Sequence, residues 1–246
     1  MSGGLPDAAT LEVMWHDLEN GAYAEDLLLW RDLAAIHGGP VLDVGAGTGR
    51  VTLDLARAGH RVVALDLSAN FLAALRERAG RLPIETVEAD ARDFALGRTF
   101  PLIIAPMQTV QLLGGPEGRA RFLGRARAHL ADGGVLAVAL AEALDAFDEE
   151  HDMPPLPDLK EVDEVVFSSR PVAVIDEGER VAIHRIRETV DAAGNRTAAP
   201  DVVHLDRVRA AELADEAEAH GLVAEHARFI PQTDDYVGST VVMLRG

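Results

Sequence analysis

The stretch that decides the fold is PVLDVGAGTGRVTLDLARAGHRVVALD, residues 40–66. An apolar run reaches Asp43, a glycine-rich segment follows, and after a helical pattern a second apolar run ends at Asp66. The glycines alternate with other residues, at Gly45, Gly47 and Gly49. Strand, glycine turn, helix, strand and acid is the layout of a nucleoside-binding α/β half, in which a bare backbone lets a ligand approach closely.

Two residues indicate the charge of that ligand. The dinucleotide fingerprint G-x-G-x-x-G would need a glycine where this chain has Arg50. Asp43 precedes the turn, and a carboxylate there would repel a pyrophosphate and favour a cation. S-adenosylmethionine carries a sulfonium and an ammonium and has no phosphate. The residues therefore favour S-adenosylmethionine over a nicotinamide dinucleotide.

The composition narrows the class of protein. The chain has 246 residues, 48% of them hydrophobic, which suits one domain or one domain with an elaborated lid. It has no cysteine, which excludes disulfides, thiolate metal sites and a cysteine nucleophile. Its net charge of −18 argues against nucleic acid or an anionic membrane as partner and fits a small neutral or cationic acceptor. Without an apolar run of membrane-spanning length or a signal-peptide pattern, we expect a cytoplasmic protein.

The pattern along the chain predicts four segments. Residues 1–37 read as helices, and residues 38–142 alternate short apolar runs with helical patterns, which predicts a parallel sheet with helices on both faces. Residues 143–205 begin with an acidic stretch, 145–164, which we predict to be a solvated loop without a metal site. Three alternating segments then predict an antiparallel meander. Residues 206–246 read as a helix and two closing strands, the first of them over residues 222–231. Within residues 38–142, Ser68 is expected to cap one helix, and the last helical pattern covers residues 116–134 with Leu130 on its apolar face.

In order and spacing, these motifs resemble those of the class I S-adenosylmethionine-dependent methyltransferases of small-molecule type. The resemblance covers about residues 38–142 and extends more loosely over the whole chain. VLDVGAGTGRVTLDLARAGHRVVALDLS resembles the first two family motifs, EADARDF the third, FPLIIAPMQTVQLL the fourth, and LADGGVLAVAL the helix–turn–strand that follows. The resemblance implies an α/β fold with a Rossmann-like, seven-stranded, mostly parallel sheet, an antiparallel final strand and an N-terminal helical lid. The inserted meander is then expected to cover the acceptor side or to form a homodimer contact.

The resemblance also implies how the cofactor binds. The backbone of Gly45, Ala46 and Gly47 would pass under the methionine part of S-adenosylmethionine, and Asp43 would organise that end. Asp66 would accept hydrogen bonds from the ribose hydroxyls.

For the adenine, the resemblance implies contacts from the next two strand ends. Leu67 would lie against the ring, and Phe71 would either offer an apolar side chain to its other face or pack within its own helix. Asp90 would accept from the adenine amino group, and the amide of Ala91 would donate to the ring.

Near the transferred methyl, the resemblance places Met107 as the floor of the pocket. It places the hydroxyl of Tyr23 against the cofactor carboxylate. Gln108 and Gln111 face either the pocket or the following helix, and both alternatives stay open at this point.

The expected reaction is an in-line transfer of the methyl group to a small-molecule acceptor, which leaves S-adenosylhomocysteine. Such a reaction depends mainly on alignment and exclusion of water. No dedicated base motif is present, so no catalytic residue is assigned; His151, in the acidic stretch, is a candidate base or simply a solvent-exposed loop residue. The alternative is a protein that binds S-adenosylmethionine as a sensor or scaffold without catalysis.

Overall fold

The computed structural model describes residues 6–148, 155–233 and 236–246, so His151 lies outside the described residues. The chain divides into two compact units. The larger comprises Tyr23–Ala143 and Val208–Gly246, and the smaller comprises Met1–Ala22 and Leu144–Arg207.

The helices are, in chain order, α1 (Ala8–Asn20), α2 (Leu27–His37), α3 (Arg50–Arg57), α4 (Ala69–Ala79), α5 (Gly115–His129) and α6 (Ala210–Glu218), with a short 3-10 helix at Thr109–Leu112. The strands are β1 (Val41–Val44), β2 (Val62–Asp66), β3 (Ile84–Glu88), β4 (Phe100–Ala105), β5 (Leu130–Leu140), β6 (Phe147–Asp148), β7 (Asp158–Val162), β8 (Val165–Asp176), β9 (Arg180–Val190), β10 (Arg196–Asp206), β11 (Val223–Ala224), β12 (Arg228–Ile230) and β13 (Ser239–Arg245). Among the described residues, no helix combines the length and the apolar character needed to cross a membrane.

The larger unit is built on a sheet with the order β11-β13-β5-β4-β1-β2-β3, in which β12 also pairs with β13. Strands β1 to β5 pair in parallel, and β13 runs antiparallel to β5, β11 and β12. This confirms the predicted mostly parallel sheet with an antiparallel final strand.

Helices cover both faces of this sheet because successive residues of its strands point to opposite sides. Leu42 of β1 belongs to a core cluster with Phe122 of α5. Val41, the residue before it, belongs to a second cluster with Trp30 of α2 and Leu55 of α3. The carboxyl ends of the parallel strands lie at one edge of the sheet, between the helices that pack on its two faces. In α/β folds, ligands bind at this edge.

The structure corrects the expectation for the strand at the edge of the main sheet. The segment expected as a single strand over residues 222–231 forms two short strands, β11 and β12. Ala224 pairs with Leu244 and Arg228 with Val241, so three residues on the edge strand face two on β13. The extra residue is a bulge, which interrupts the pairing and is common at sheet edges.

A second correction concerns the end of α5. Its helical pattern extends through residues 116–134, but α5 ends at His129. Leu130, expected on the helix face, has an extended backbone with a ψ of 136° and pairs with Phe100 of β4. Pairing with β4 therefore draws the chain into β5 before it reaches the glycines at 133 and 134.

The smaller unit contains an antiparallel sheet with the order β10-β9-β8-β6, and β7 also pairs with β8. This confirms the predicted meander. The acidic stretch is not a loop throughout, because residues 158–162 form β7, paired with β8 from Ser169 to Val165. Arg185 stabilises this strand by donating to the Asp158 carboxylate at 2.6 Å, which offsets part of its negative charge.

Helix α1 packs on the same antiparallel sheet. The Trp15 ring meets the edge of Phe167 at a centroid distance of 5.3 Å. Glu19 accepts from Arg187 Nε at 2.8 Å and from the Ser169 hydroxyl at 2.7 Å. Of the two N-terminal helices, α1 therefore belongs to the smaller unit, whereas α2 belongs to the larger one.

Candidate functional site

The glycine turn follows the fully buried strand β1 and leads into α3. Its three glycines have positive φ angles, 73° at Gly45, 55° at Gly47 and 96° at Gly49. A Cβ atom on Gly45 would lie 2.6 Å from the side chain of Thr109, and one on Gly49 would collide with Leu75. Backbone conformation and neighbouring side chains thus both require glycine at the two ends of the turn.

Asp66 joins this turn to the end of β2. Its carboxylate accepts from the Gly47 amide at 2.7 Å and from the Ser68 amide at 2.9 Å. A carboxylate offers about four lone-pair positions, and Asp66 is only half-buried, so it keeps acceptor capacity for a pair of hydroxyls. The two amides also fix its orientation before any ligand arrives.

Asp43 is the buried acid of the site, with 1% of its surface exposed. Its Oδ2 accepts from the Thr52 hydroxyl at 2.6 Å, whereas Oδ1 has no partner among the described residues. Burial raises the pKa of Asp43 to about 6, against the opposing effects of Thr52 and Arg50. An unpaired buried carboxylate oxygen is unusual and marks an acceptor site for a donor or a cation.

Tyr23 is the complementary donor. It is 6% exposed, and its hydroxyl is buried without a hydrogen-bond partner in the part of the chain that the structure describes. Burial raises the pKa of Tyr23, and Asp26 adds to the shift; Ser239 lies near enough to oppose it but not in hydrogen-bonding geometry. At neutral pH the hydroxyl therefore keeps its proton, and no acceptor in the described ranges lies in hydrogen-bonding geometry with it.

The residues expected around the adenine follow the ends of β2 and β3. Leu67 directly follows β2 and is 67% exposed, which leaves an apolar surface for a ring. Phe71 lies half-buried in the first turn of α4, where its amide donates to the Ser68 hydroxyl at 3.3 Å. Ala91 is half-buried and packs against the core cluster on the α5 side of the sheet.

Asp90 has a partner that the sequence motifs do not reveal. Arg92 donates to its carboxylate from Nη2 at 2.6 Å and from Nε at 2.9 Å, and the Arg92 amide adds a bond at 2.8 Å. These bonds lower the pKa of Asp90 to about 2. Asp90 is therefore a fixed anion, and an adenine amino group would share its oxygens with Arg92.

Met107 follows β4 with a φ of 54°, a left-handed conformation that is uncommon for a residue other than glycine. Such outliers occur mostly at functional sites. Gln111 is buried, and its amide bonds both backbone groups of Ala141, at 3.1 Å to the carbonyl and 2.9 Å from the amide. Gln111 thus anchors the end of β5.

Direct contacts connect one part of the expected site. Asp66 bonds the turn at Gly47, and its charge is close enough to raise the pKa of Asp43. Leu67, Asp90, Ala91 and Met107 follow the ends of parallel strands at the same edge of the sheet. Phe71 lies in the first turn of α4, and Tyr23 lies between α1 and α2. Sequence reasoning missed Asp26, and it used Arg50 only to exclude a dinucleotide. The spacing Asp26–Trp30, one helical turn, was the available signal.

Comparison with known proteins adds the following findings. Residues 41–134 match the family model described as a methyltransferase domain. A cypemycin N-terminal methyltransferase from Streptomyces sp. is 36% identical over 100 residues, which are 41% of each chain. A dTDP-3-amino-3,6-dideoxy-alpha-D-glucopyranose N,N-dimethyltransferase from Streptomyces fradiae is 34% identical over 113 residues, 44% of each chain. The chain thus matches less than half the length of these curated relatives.

Among solved structures, the fold is similar to that of S-adenosylmethionine-bound CalS10, an amino pentose methyltransferase from Micromonospora echinaspora involved in calicheamicin biosynthesis. The TM-score is 0.70 at 21% identity, and both chains are covered completely. At this identity the likeness establishes the fold.

Proposed function

We propose that this chain, which carries a methyltransferase domain at residues 41–134 on the fold of the class I S-adenosylmethionine-dependent methyltransferases, methylates the nitrogen of a small-molecule amine. The observation that carries the proposal is a pair of buried groups without a hydrogen-bond partner among the described residues: Asp43 precedes the glycine turn, and Tyr23 contacts Arg50, the residue that follows it. Tyr23 offers a hydroxyl donor and Asp43 a carboxylate oxygen. A ligand with an α-amino-acid end supplies the carboxylate and the ammonium that would satisfy them.

The described residues fit S-adenosylmethionine. The Tyr23 hydroxyl suits its carboxylate, Asp43 Oδ1 suits its ammonium, and Asp66 has the spare acceptor capacity that two ribose hydroxyls need. The arginines near the turn are not free for a pyrophosphate, because Arg50 pairs with Asp26 and Arg78 donates to the Thr48 carbonyl at 3.4 Å. The charge of the turn therefore favours a cationic nucleoside.

The other site residues complete the proposal. Leu67 and Phe71 would hold the adenine between apolar surfaces, and Asp90 with the Ala91 amide would bind its polar edge. Met107 would line the floor beside the transferred methyl, since its backbone is held in an unusual conformation at the end of β4. The backbone from Gly45 through Ala46 to Gly47 would pass beneath the methionine part.

S-adenosylmethionine, when bound, supplies a methyl group on a positively charged sulfur. A protonated amine would first have to lose a proton to solvent, because only the neutral nitrogen has a lone pair. Attack of that nitrogen on the methyl group would then break the carbon–sulfur bond, release the sulfur as a neutral thioether and give an N-methylammonium product. The contribution of this chain is to hold the cofactor in one orientation, through Asp66, Asp43 and Tyr23, because aligned reactants avoid most of the entropic cost of the encounter. Its net charge of −18 attracts a cationic amine.

An amine acceptor is supported by two observations. One curated relative is named as an N-terminal methyltransferase of cypemycin, and the other as an N,N-dimethyltransferase of a dTDP-linked 3-amino sugar. The acidic surface suits an acceptor that is positively charged at neutral pH. The homodimer contact and the cytoplasmic location stay predictions from the sequence.

The experiment is a turnover assay with S-adenosylmethionine and paired acceptors that differ only in an amine or a hydroxyl, including an amino-sugar nucleotide and a peptide with a free N-terminus. S-adenosylhomocysteine is measured by chromatography and the methylated product by mass spectrometry, with Asp66→Ala as the inactive control. We expect turnover with amines alone. Turnover with the hydroxyl partners would contradict N-methylation, and cofactor binding without turnover of any acceptor would favour the sensor or scaffold alternative.

A further inference from the structure

We infer that Arg50 is a positioning residue for the cofactor, anchored by Asp26, which holds Tyr23 so that its hydroxyl meets the cofactor carboxylate. The inference rests on the proposed function and assigns roles to two residues outside the expected binding set. All of its parts lie in the larger unit.

The first step is the anchor of Arg50. Asp26, 1% exposed, accepts from Arg50 Nη1 at 2.5 Å and from Nη2 at 2.7 Å. Its Oδ2 also accepts from the indole nitrogen of Trp30 at 2.8 Å, and Trp30 is itself fully buried. A two-pronged bond to a carboxylate with a third donor fixes the plane of the guanidinium, which a lysine ammonium could not reproduce.

The second step is the hold on Tyr23. Arg50 Nη1 donates to the Tyr23 carbonyl at 2.9 Å. The guanidinium carbon also lies 5.0 Å from the centre of the Tyr23 ring, within the range of a cation–π contact. The ring centre of Tyr236 lies 5.0 Å from that of Tyr23. Arg50 therefore restrains both the backbone and the ring of Tyr23.

The third step connects this arrangement to the ligand. Arg50 is the first residue of α3, directly after Gly49, and its charge lowers the pKa of Asp43. One guanidinium thus contacts Tyr23 and influences Asp43, and each of these two residues has a buried side-chain oxygen without a hydrogen-bond partner among the described residues. An ion pair that served stability alone would not need to restrain a tyrosine whose buried hydroxyl has no partner among the described residues, because such a group costs free energy until a ligand satisfies it.

The test is a calorimetric titration with two ligands. S-adenosylhomocysteine carries the amino-acid end, and 5′-methylthioadenosine lacks it. We expect Tyr23→Phe and Arg50→Lys each to weaken S-adenosylhomocysteine at least tenfold and 5′-methylthioadenosine less than twofold, because only the first ligand needs the Tyr23 hydroxyl. The affinity of the double variant for S-adenosylhomocysteine should be no lower than that of the more strongly affected single variant, since both changes remove the same contact.

The matched control is Arg31→Lys, which alters an exposed arginine of α2 that pairs with Asp54 and should leave both affinities unchanged. If Arg50→Lys does not fold, Asp26→Asn replaces it, with Asp32→Asn as its exposed control.

The possible outcomes distinguish a failure of this inference from a failure of the proposed function. An equal loss for both ligands, strictly additive losses in the double variant, or an unchanged affinity for S-adenosylhomocysteine would overturn the positioning role of Arg50. A wild-type chain that binds neither ligand would instead overturn the proposed function, and the two failures are thereby distinguished.

Discussion

Replacement of Asp43 by Asn should change the stability of the ligand-free protein in a pH-dependent way. Relative to the wild type, the free energy of unfolding of the variant should be higher at neutral pH than at low pH, although Asp43 belongs to the proposed cofactor site. Burial raises the pKa of Asp43 from 3.8 to about 6. At about 1.4 kcal/mol per pKa unit, keeping this carboxylate ionised in the folded state costs about 3 kcal/mol near pH 7. The substituted amide removes that cost and keeps an acceptor for Thr52, but its NH2 group lacks a partner, which costs about 1–3 kcal/mol.

The pH dependence of the free energy of unfolding separates the effect of the Asp43 charge from the effect of the altered hydrogen bonds. The pKa in the folded state lies above the unfolded value, so the unfolded chain loses this proton first as pH rises. The wild type therefore gains stability from Asp43 as pH falls from about 7 toward 4, whereas the amide of the variant does not titrate. Between pH 7 and pH 5, linkage predicts that the free energy of unfolding of the wild type rises by about 1.3 kcal/mol relative to Asp43→Asn.

The measurement is urea unfolding of both proteins at pH 7 and pH 5, followed by fluorescence. The control is Asp32→Asn, which changes an exposed acid of α2 and should give no such difference between the two pH values. A relative shift near zero, or one that favours the variant at pH 5, would refute the claim that Asp43 is ionised at a cost. The same substitution of Asp43 should weaken S-adenosylhomocysteine at least tenfold at pH 7, because its ammonium loses an anionic partner.

The remaining predictions concern the turn and the acid after β2. Asp66→Ala and Gly47→Val should each weaken S-adenosylhomocysteine at least tenfold in calorimetry while circular dichroism stays native, and unchanged affinity in both would refute the site. Gly45→Ala should lower the free energy of unfolding by about 1–3 kcal/mol, through its positive φ and its clash with Thr109. Gly59→Ala, with a φ of 97° and no neighbouring atom, should cost about 1 kcal/mol; equal costs at both positions would show that Thr109 simply moves.

The sequence was sufficient for the main sheet because the alternation of apolar runs and helical patterns is local. The glycines at residues 45–49 and the cap of α4 at Ser68 are visible as local sequence signals, and both form as expected. The bulge between β11 and β12 depends on how β13 registers against the edge strand, which no local pattern encodes. The same holds for β7, an acidic segment that becomes a strand by pairing with β8.

The candidate site shows the same division. The positions of Asp43 and Asp66 were predictable from apolar runs. Asp43 lies in the run just before the glycines, and Asp66 ends the run that follows the next helix. The ion pair of Asp26 with Arg50 joins residues 24 positions apart, and the pairing of Arg92 with Asp90 depends on side-chain conformation. The first pair follows from tertiary packing and the second from a choice of side-chain conformation, so motif spacing alone revealed neither.

The central claim is that the glycine turn and Asp66 bind a cationic, phosphate-free nucleoside. The most direct test is a calorimetric titration of the wild-type chain and of Asp66→Ala with S-adenosylmethionine and with a nicotinamide dinucleotide. We predict saturable binding of S-adenosylmethionine to the wild type, loss of that binding in the variant and no binding of the dinucleotide. Saturable binding of the dinucleotide, with none of S-adenosylmethionine, would contradict it.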